Sequence, residues 1–310
     1  MPVTREMVRA AFLLILGREP ESEVAVETHM GFSDPIALGT ALRTCAEYRA
    51  KNPYQFPVAK WVAVDVLDKY IQWIDLADGH VSRGCMNNSW EPSETEYFIS
   101  KLHEGDVVLD IGANVGWFSL VAAKYIGAKG KVHAFEPRPD TGRALARTIA
   151  DNALGNVIKF WPYALTDRAG TVELAWAPNS DNPGGSHLVG KSRPVGAASA
   201  SVQAAPLDEL LPDVAPDVVK MDIEGAEPLA IRGMVKALSR SRPPILSELH
   251  TGQLKQVSNT SPREYIELLS SLGYACYLLE NGRPGERLED VPERLAVPLV
   301  SVVFEARAGV

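Results

Sequence analysis

The sequence predicts an α/β protein: a largely parallel sheet with helices on both faces, preceded by a small helical module. Three observations predict it. From residue 106 to residue 304, short and almost wholly apolar runs alternate with helix-length segments, the pattern of strands buried on both faces. The first run, Val107–Ile111, passes straight into a glycine turn and a helix. Residues 4–50, by contrast, carry three- and four-residue apolar spacing and no strand-like alternation,.

Taken in order, Val8, Phe12, Ile15 and Leu16 share one helical face, and Pro20 is expected to stop that helix,. Residues 21–30 start another. Asp34-Pro35 reads as an N-cap followed by Pro at N1, opening a helix through Ala41 and Leu42 toward Tyr48,. Two domains follow: a helical module over 1–52 and an α/β domain over 53–310. Pro53 and Pro57 break local structure, residues 62–67 and 69–76 are strand-like, and Ser93 with Glu96 has capping-box spacing ahead of a helix to Leu102,. Strands are expected at 107–111, 131–135, 157–161, 218–223, 244–249, 274–279 and 299–304, and helices at 117–125, 141–152, 226–238 and 262–272,. The last two strands have no helix between them, which predicts an antiparallel ribbon at one edge. Residues 170–177 read as an extra strand. Residues 177–205 are rich in Pro, Gly, Ser and Ala without periodicity, as in a lid or a mobile insert. That stretch carries the polar run 181–186 and His187, a secondary candidate base.

Composition narrows the function. The chain has 310 residues, with 46% hydrophobic and 23% charged, which excludes wholesale disorder,. A net charge of -8 argues against a nucleic-acid partner or an anionic membrane surface,. Cys45, Cys85 and Cys276 are odd in number and far apart, so reduced thiols in a cytoplasmic protein are expected. The apolar run 10–16 is too short to span a bilayer and lacks a cleavage site,.

The chemistry gathers at strand ends. In Asp110-Ile111-Gly112-Ala113-Asn114-Val115-Gly116, Gly112 allows a ligand close to the backbone, Asn114 tolerates a left-handed conformation, and Gly116 permits close packing. Glu136 follows the second strand in Phe135-Glu136-Pro137, where an acid accepts hydrogen bonds from both ribose hydroxyls of a nucleoside. The turn is not a dinucleotide G-x-G-x-x-G, and Asp110 beside it disfavours a diphosphate while favouring the ammonium and sulfonium of S-adenosylmethionine. An NAD-dependent oxidoreductase on the same sheet and a non-catalytic binding protein are the alternatives. Further on, Lys220, Asp222 and Glu224 share one direction along their strand,. Glu227 suits the start of the following helix. Glu248 and His250 end the fifth strand. If strands four and five are neighbours, Asp222 and His250 meet; His250 is then a general base oriented by Asp222 or Glu248. The set Asp222, Glu248 and His250 equally suits a divalent metal such as Mg²⁺.

Residues 70–250 resemble the FkbM-type methyltransferases, a branch of the class I S-adenosylmethionine-dependent enzymes. The resemblance rests on Trp90-Glu91-Pro92, the run GDVVLDIGANVG from Gly105 to Gly116, Phe135-Glu136-Pro137, Tyr163 to Asp167, KMDIEGAE from Lys220 to Glu227, and Glu248-Leu249-His250. It implies a Rossmann-like, seven-stranded sheet with the last strand antiparallel, and O-methylation of a hydroxyl on a sugar, polyketide or other secondary metabolite. By position it implies that Asp110, Gly112, Asn114 and Gly116 border the methionine part of the cofactor, that Glu136 takes the ribose, that the backbone near Ala164 meets the adenine, and that Glu91 lies close by, with Asp222 also in the cofactor site. The implied partner is a small-molecule or saccharide acceptor; a homo-oligomer is compatible with this reading. Separately, AFLLILGREPES (residues 11–22) with Tyr48-Arg49 resembles a small helical module of the LGR-E-P type, found beside glycan-related enzymes, though without the usual Asp-Gly after Pro20.

Overall fold

The structure, a computed structural model, describes residues 2–51, 61–177, 185–190, 196–290 and 299–307. The chain divides into two compact units, Met1–Lys60 and Trp61–Val310. The boundary expected after residue 52 lies outside the described residues.

The first unit is helical: Arg5–Ala11, a π-helical Phe12–Leu16, Glu23–Met30, Pro35–Thr44 and Ala46–Lys51. Val8, Phe12, Leu16, Val26, Leu38 and Leu42 form its core. Asp34 caps as expected, its carboxylate accepting from the Ile36 and Ala37 N–H groups with Pro35 at N1. Two expectations change. The first helical stretch stops at Gly17 rather than Pro20, because Gly17 adopts φ +69°, a left-handed cap that glycine enters without strain. The helix expected to run toward Tyr48 ends at Thr44, where Cys45 turns extended. Arg18 holds both Glu47 carboxylate oxygens, at 2.8 Å from Nε and 2.6 Å from Nη2. The Leu-Gly-Arg signature therefore has a local structural role.

The second unit opens with an antiparallel hairpin of β1 (Trp61–Val66) and β2 (Tyr70–Asp75). The remaining strands are β3 (Val107–Ile111), β4 (Lys131–Phe135), β5 (Ile158–Trp161), β6 (Tyr163–Leu165), β7 (Gly170–Trp176), β8 (His187–Leu188), β9 (Ala198–Ala205), β10 (Val218–Met221), β11 (Ile245–His250), β12 (Tyr274–Glu280), β13 (Arg283–Leu288) and β14 (Leu299–Ala306). The main sheet has the order β13-β12-β14-β11-β10-β3-β4-β5. β5, β4, β3, β10 and β11 are mutually parallel, and β14 runs antiparallel between β11 and β12. This is the Rossmann-like class I arrangement, with one strand more than the seven expected: β13 pairs antiparallel with β12 and takes the edge expected for the terminal ribbon. From β3 the chain winds outward through β4 and β5, then returns to the other side at β10. The gap between β3 and β10 is a topological switch point, where open α/β sheets bind ligands at the carboxyl ends of strands.

Strand alternation fills both faces. Val108 joins Phe98, Leu120, Val121 and Val132 on one side. Leu109 and Ile111 join Val219, Met221, Ile231 and Leu249 on the other. The segment expected as one helix over 226–238 is two, Glu227–Arg232 and Val235–Ser241. They break at Gly233, where a Cβ would lie 2.1 Å from the Thr166 carbonyl oxygen. The Ser93/Glu96 capping box does not form. Glu91 is the N-cap of helix Pro92–Lys101 without a side-chain cap bond, and Ser93 Oγ instead accepts from the Gly282 N–H at 2.8 Å.

The stretch 177–205 is not one long loop. β8 and β9 fall inside it and build a second sheet in the order β6-β9-β7-β8, with a core of Ala164, Leu174, Leu188, Val202 and Ala204. Residues 181–184 of its polar run lie outside the described residues. Among the described residues, no helix is long and apolar enough to cross a membrane.

Candidate active site

The glycine turn after β3 is held from several sides. Gly112 and Ala113 N–H groups donate to the Phe135 carbonyl at 3.0 and 2.9 Å. Gln72 Nε2, from β2, donates to the Val115 carbonyl at 3.1 Å. Gly112 has φ +82°, and a Cβ there would sit 1.9 Å from the Asp222 carbonyl oxygen. The close approach that demands glycine is thus made by the backbone leaving β10, not only by a ligand as the sequence suggested. Asn114 takes the expected left-handed conformation at φ +50°. Gly116, at φ +97°, caps helix Trp117–Ile126. A Cβ on it would meet Leu145 at 2.6 Å, so it seats the turn against helix Pro139–Asp151.

Glu136 directly follows β4 and is buried. Its Oε2 accepts from the Asn114 N–H at 2.9 Å and its Oε1 from the Arg138 N–H at 2.8 Å. Burial pushes its pKa up to about 7, and those two amides work against the rise. Each oxygen keeps a lone pair for a further donor.

Glu136 opens onto a cleft at the switch point. Gly112, Asn114, Glu136, Ala164 and Asp222, all expected in the cofactor site, line it; Glu91, Asp110 and Gly116 do not. Ala164, Leu165, Leu174 and Leu188 give it an apolar wall, and Asp222 and Glu224 give it acids. Sequence reasoning missed the part played by the second sheet, and it missed Arg138. The Arg138 guanidinium bonds Asp140 through Nε at 2.7 Å and Nη2 at 2.9 Å, and stacks 4.6 Å from the Trp176 ring. The only available signal was Arg138-Pro139-Asp140 directly after the Glu136 motif.

A second group of acids lies deeper around Lys220. The register pairs Lys220 with Asp110 across β10 and β3. Lys220 Nζ is 3.3 Å from Asp222 Oδ2 and 4.9 Å from the Phe118 ring centre. Its burial works against the charged form, but Asp222, Glu91, Asp110 and Glu248 outweigh this and raise its pKa. Asp110 is fully buried and accepts from Ser119 Oγ at 2.6 Å. Its other oxygen has no partner among the described residues, and burial raises its pKa. Glu91, in a left-handed turn at φ +42°, is pushed to about 8 by burial, with the Asp222 charge adding to the rise. Burial and Asp222 likewise push Glu224 to about 8 and Glu248 to about 10.

The trio that meets here is Glu91, Asp222 and Glu248, each offering a carboxylate oxygen within 4.8 Å of the others. The expected set of Asp222, Glu248 and His250 is corrected by the register. β10 and β11 are parallel neighbours as anticipated, but Met221 pairs with Ser247, which brings Glu248, not His250, alongside Asp222. His250 lies two residues further on and caps helix Thr251–Val257, its Nδ1 accepting from the Gln253 N–H at 3.2 Å. With that lone pair engaged, the neutral ring carries its proton on Nε2, the wrong form for a base. Carboxylates at this spacing fit a divalent cation, but the Lys220 ammonium already places a positive charge against Asp222. His187 begins β8, its Nδ1 3.3 Å from the Gly185 carbonyl oxygen. Glu227 has the helix-start role expected, accepting from the Ile223 and Gly225 N–H groups at 3.1 and 3.2 Å.

Comparison with known proteins agrees with this geometry. Residues 110–276 match the model of the methyltransferase FkbM domain. The chain is similar to the hexuronic acid methyltransferase AglP of Haloferax volcanii, 31% identical over 56% of this chain and 64% of that protein. It is similar to the methyltransferase sdnD of Sordaria araneosa, 32% identical over 44% of this chain and 64% of that protein. It is also similar to the 31-O-demethyl-FK506 methyltransferase FkbM of Streptomyces tacrolimicus, 37% identical over 28% of this chain and 32% of that protein. The chain thus spans less than two thirds of the length of each of these relatives. The match covers the glycine turn, the Glu136 motif and the carboxyl ends of β10 and β11 together, and the chain belongs to the methyltransferase FkbM domain family.

Proposed function

We propose that the protein is an S-adenosylmethionine-dependent O-methyltransferase acting on a hydroxyl of a sugar or secondary metabolite. The observation that carries this reading is Glu136. It is a buried carboxylate fixed by two backbone amides, facing a cavity with an apolar wall and free to accept from two ribose hydroxyls. The apolar wall around Ala164 and Leu188 suits an adenine ring. The acids beyond it, Asp222 and Glu224, suit a cationic methionine moiety and oppose a diphosphate, which weighs against the nicotinamide alternative. S-adenosylmethionine would supply the methyl group as an electrophilic carbon on sulfur.

In this reading Asp222 takes the acceptor's hydroxyl proton. It lines the cavity, and Lys220 steadies its charge at 3.3 Å. Asp222 and Lys220 stand where the sequence placed a His–Asp pair, and the site needs no imidazole to do this work. The name of one relative favours oxygen as the acceptor atom: it is a methyltransferase of a 31-O-demethyl compound.

The test is transfer of labelled methyl from S-adenosylmethionine to a panel of sugar and polyketide hydroxyls. The Asp222→Asn variant is expected to lose about 100-fold or more in turnover while still binding S-adenosylhomocysteine. Full turnover in that variant would remove Asp222 as the proton acceptor.

A further inference from the structure

The cleft lies between two sheets, and a short segment of the second sheet crosses it. Gly112, Asn114 and Glu136 line it from the main sheet, and Ala164, Leu174 and Leu188 from the second. Leu188 is carried by residues 186–190. It pairs with Leu174 of β7, and the Val189 N–H donates to the Glu173 carbonyl at 2.8 Å. The segment is also fixed at both ends. At the β4 end, Arg138 Nη1 donates to Ser186 Oγ at 3.3 Å, while the same guanidinium stacks on Trp176 of β7 and is clamped by Asp140. At the other end, Gly190 lies close against helix Thr251–Val257, which follows β11: a Cβ on it would sit 2.1 Å from the Gln256 carbonyl oxygen. β4 and β11 stand on opposite sides of the switch point between β3 and β10. Residues 186–190 thus form a strap from one side of the cleft to the other.

We propose that Arg138 is a positioning residue for the adenosyl cofactor: through Ser186 and Trp176 it holds the strap, and with it Leu188, against the nucleoside, and so sets how fast the cofactor leaves. The proposal rests on reading the cleft as the adenosyl site. Arg138 is buried, where arginines are rarely found,. Asp140, at the start of the same helix, meets its charge without help from the strap, so the contacts to Ser186 and Trp176 do further work. The Arg138 backbone N–H donates to Glu136 Oε1 at 2.8 Å; one residue therefore supports both the carboxylate assigned to the ribose and the wall assigned to the base. β7 and β8 share only two residue pairs. A ladder that short has little stability of its own, and the position of Leu188 depends on the end contacts. The planar guanidinium meets a carboxylate, a hydroxyl and an indole face at once, which a lysine ammonium cannot do.

The experiment measures association and release of S-adenosylhomocysteine and of 5′-methylthioadenosine by stopped flow on the full chain, with a thermal melt of each variant. Arg138→Met should speed release of both ligands by about 10- to 30-fold, the worth of a hydrogen bond and a cation–π contact together, with association changed by less than about threefold. Arg138→Lys should release within about threefold of Arg138→Met. Trp176→Phe keeps an aromatic face for the guanidinium and should stay near the native rate, whereas Trp176→Ala should not. Gly190→Ala pushes the far end of the strap off Gln256 and does not line the cleft; it should speed release by about tenfold. Unchanged release in Arg138→Met or in Gly190→Ala overturns the proposal. So does faster release accompanied by an equal loss in association and a fall in Tm, which would mark general loosening of the fold. If Arg138→Met does not fold, Ser186→Ala, which leaves the Arg138–Asp140 pair intact, decides in its place: about threefold faster release is expected, and an unchanged rate overturns the proposal. Failure of the native protein to bind S-adenosylhomocysteine overturns the underlying cofactor reading instead.

Discussion

Replacing Glu136 by Gln probes the nucleoside end of the cavity with little change in volume. In the native protein the two carboxylate oxygens each accept one backbone N–H, from Asn114 and Arg138, and each keeps capacity for a ribose hydroxyl. The amide retains one such oxygen and turns an NH₂ toward the other backbone donor. One charge-assisted hydrogen bond to ribose is lost, worth about 1.5–3 kcal/mol, or about 10- to 100-fold in affinity. The pH dependence provides an internal check. Glu136 has its pKa raised to about 7 by burial, and it must be ionised to accept from both hydroxyls. Its share of the affinity for S-adenosylhomocysteine should therefore rise about tenfold between pH 6 and pH 8 in the native protein and stay flat in the variant. Calorimetric titration of both proteins with 5′-methylthioadenosine and its 2′-deoxy analogue isolates the ribose contact: the native protein should discriminate between them and the variant should not. Equal affinity of both proteins for S-adenosylhomocysteine, or unchanged discrimination against the deoxy analogue, would refute the assignment.

Three further outcomes follow from the same geometry. Gly112→Ala forces a side chain into φ +82° and onto the Asp222 carbonyl oxygen; it should cost at least about 2–3 kcal/mol, read as a Tm fall of about 5–10 °C with loss of S-adenosylhomocysteine binding. His250→Ala removes a helix cap worth about 1 kcal/mol, so it should lower Tm by a few degrees and kcat by less than about tenfold, whereas a base would cost 10²–10⁴-fold. Glu136 and Glu227 are held at about 7, and Glu91 and Glu224 at about 8, chiefly by burial, against an ordinary 4.5. The folded protein retains these protons after the unfolded chain has released them. Their stabilisation is therefore full below pH 4.5 and is lost as pH rises through 7 and 8. The Tm of the ligand-free protein should fall between pH 5 and pH 9 in a thermal scan, and a flat or rising profile would contradict the burial of these groups.

The sheet was legible because its strands are apolar on both faces and its helices carry clear stops: β3 and β4 fall where the pattern placed them. The second sheet was not. β8 is only two residues long, and β9, ASASVQAA, alternates with small residues that carry little hydrophobic signal; their core comes from elements distant in sequence. Glu136 and Asp222 were legible because ionisable groups at the ends of apolar strands need a crevice. The partner of Asp222 was not, because the choice between Glu248 and His250 turns on a register of two residues between parallel strands, which the adjacent strand sets rather than the local sequence. Arg138 was missed for a related reason: its ring partner, Trp176, is separated from it by β5, β6 and most of β7.

The central claim is that this cavity holds the adenosyl cofactor with its ribose on Glu136, and a crystal structure of the protein with S-adenosylhomocysteine tests it most directly. The ribose hydroxyls should lie within hydrogen-bond distance of both Glu136 carboxylate oxygens, with the adenine against Ala164 and Leu188 and the sulfur toward Asp222. A ligand bound elsewhere, or one whose ribose makes no contact with Glu136, would contradict the account.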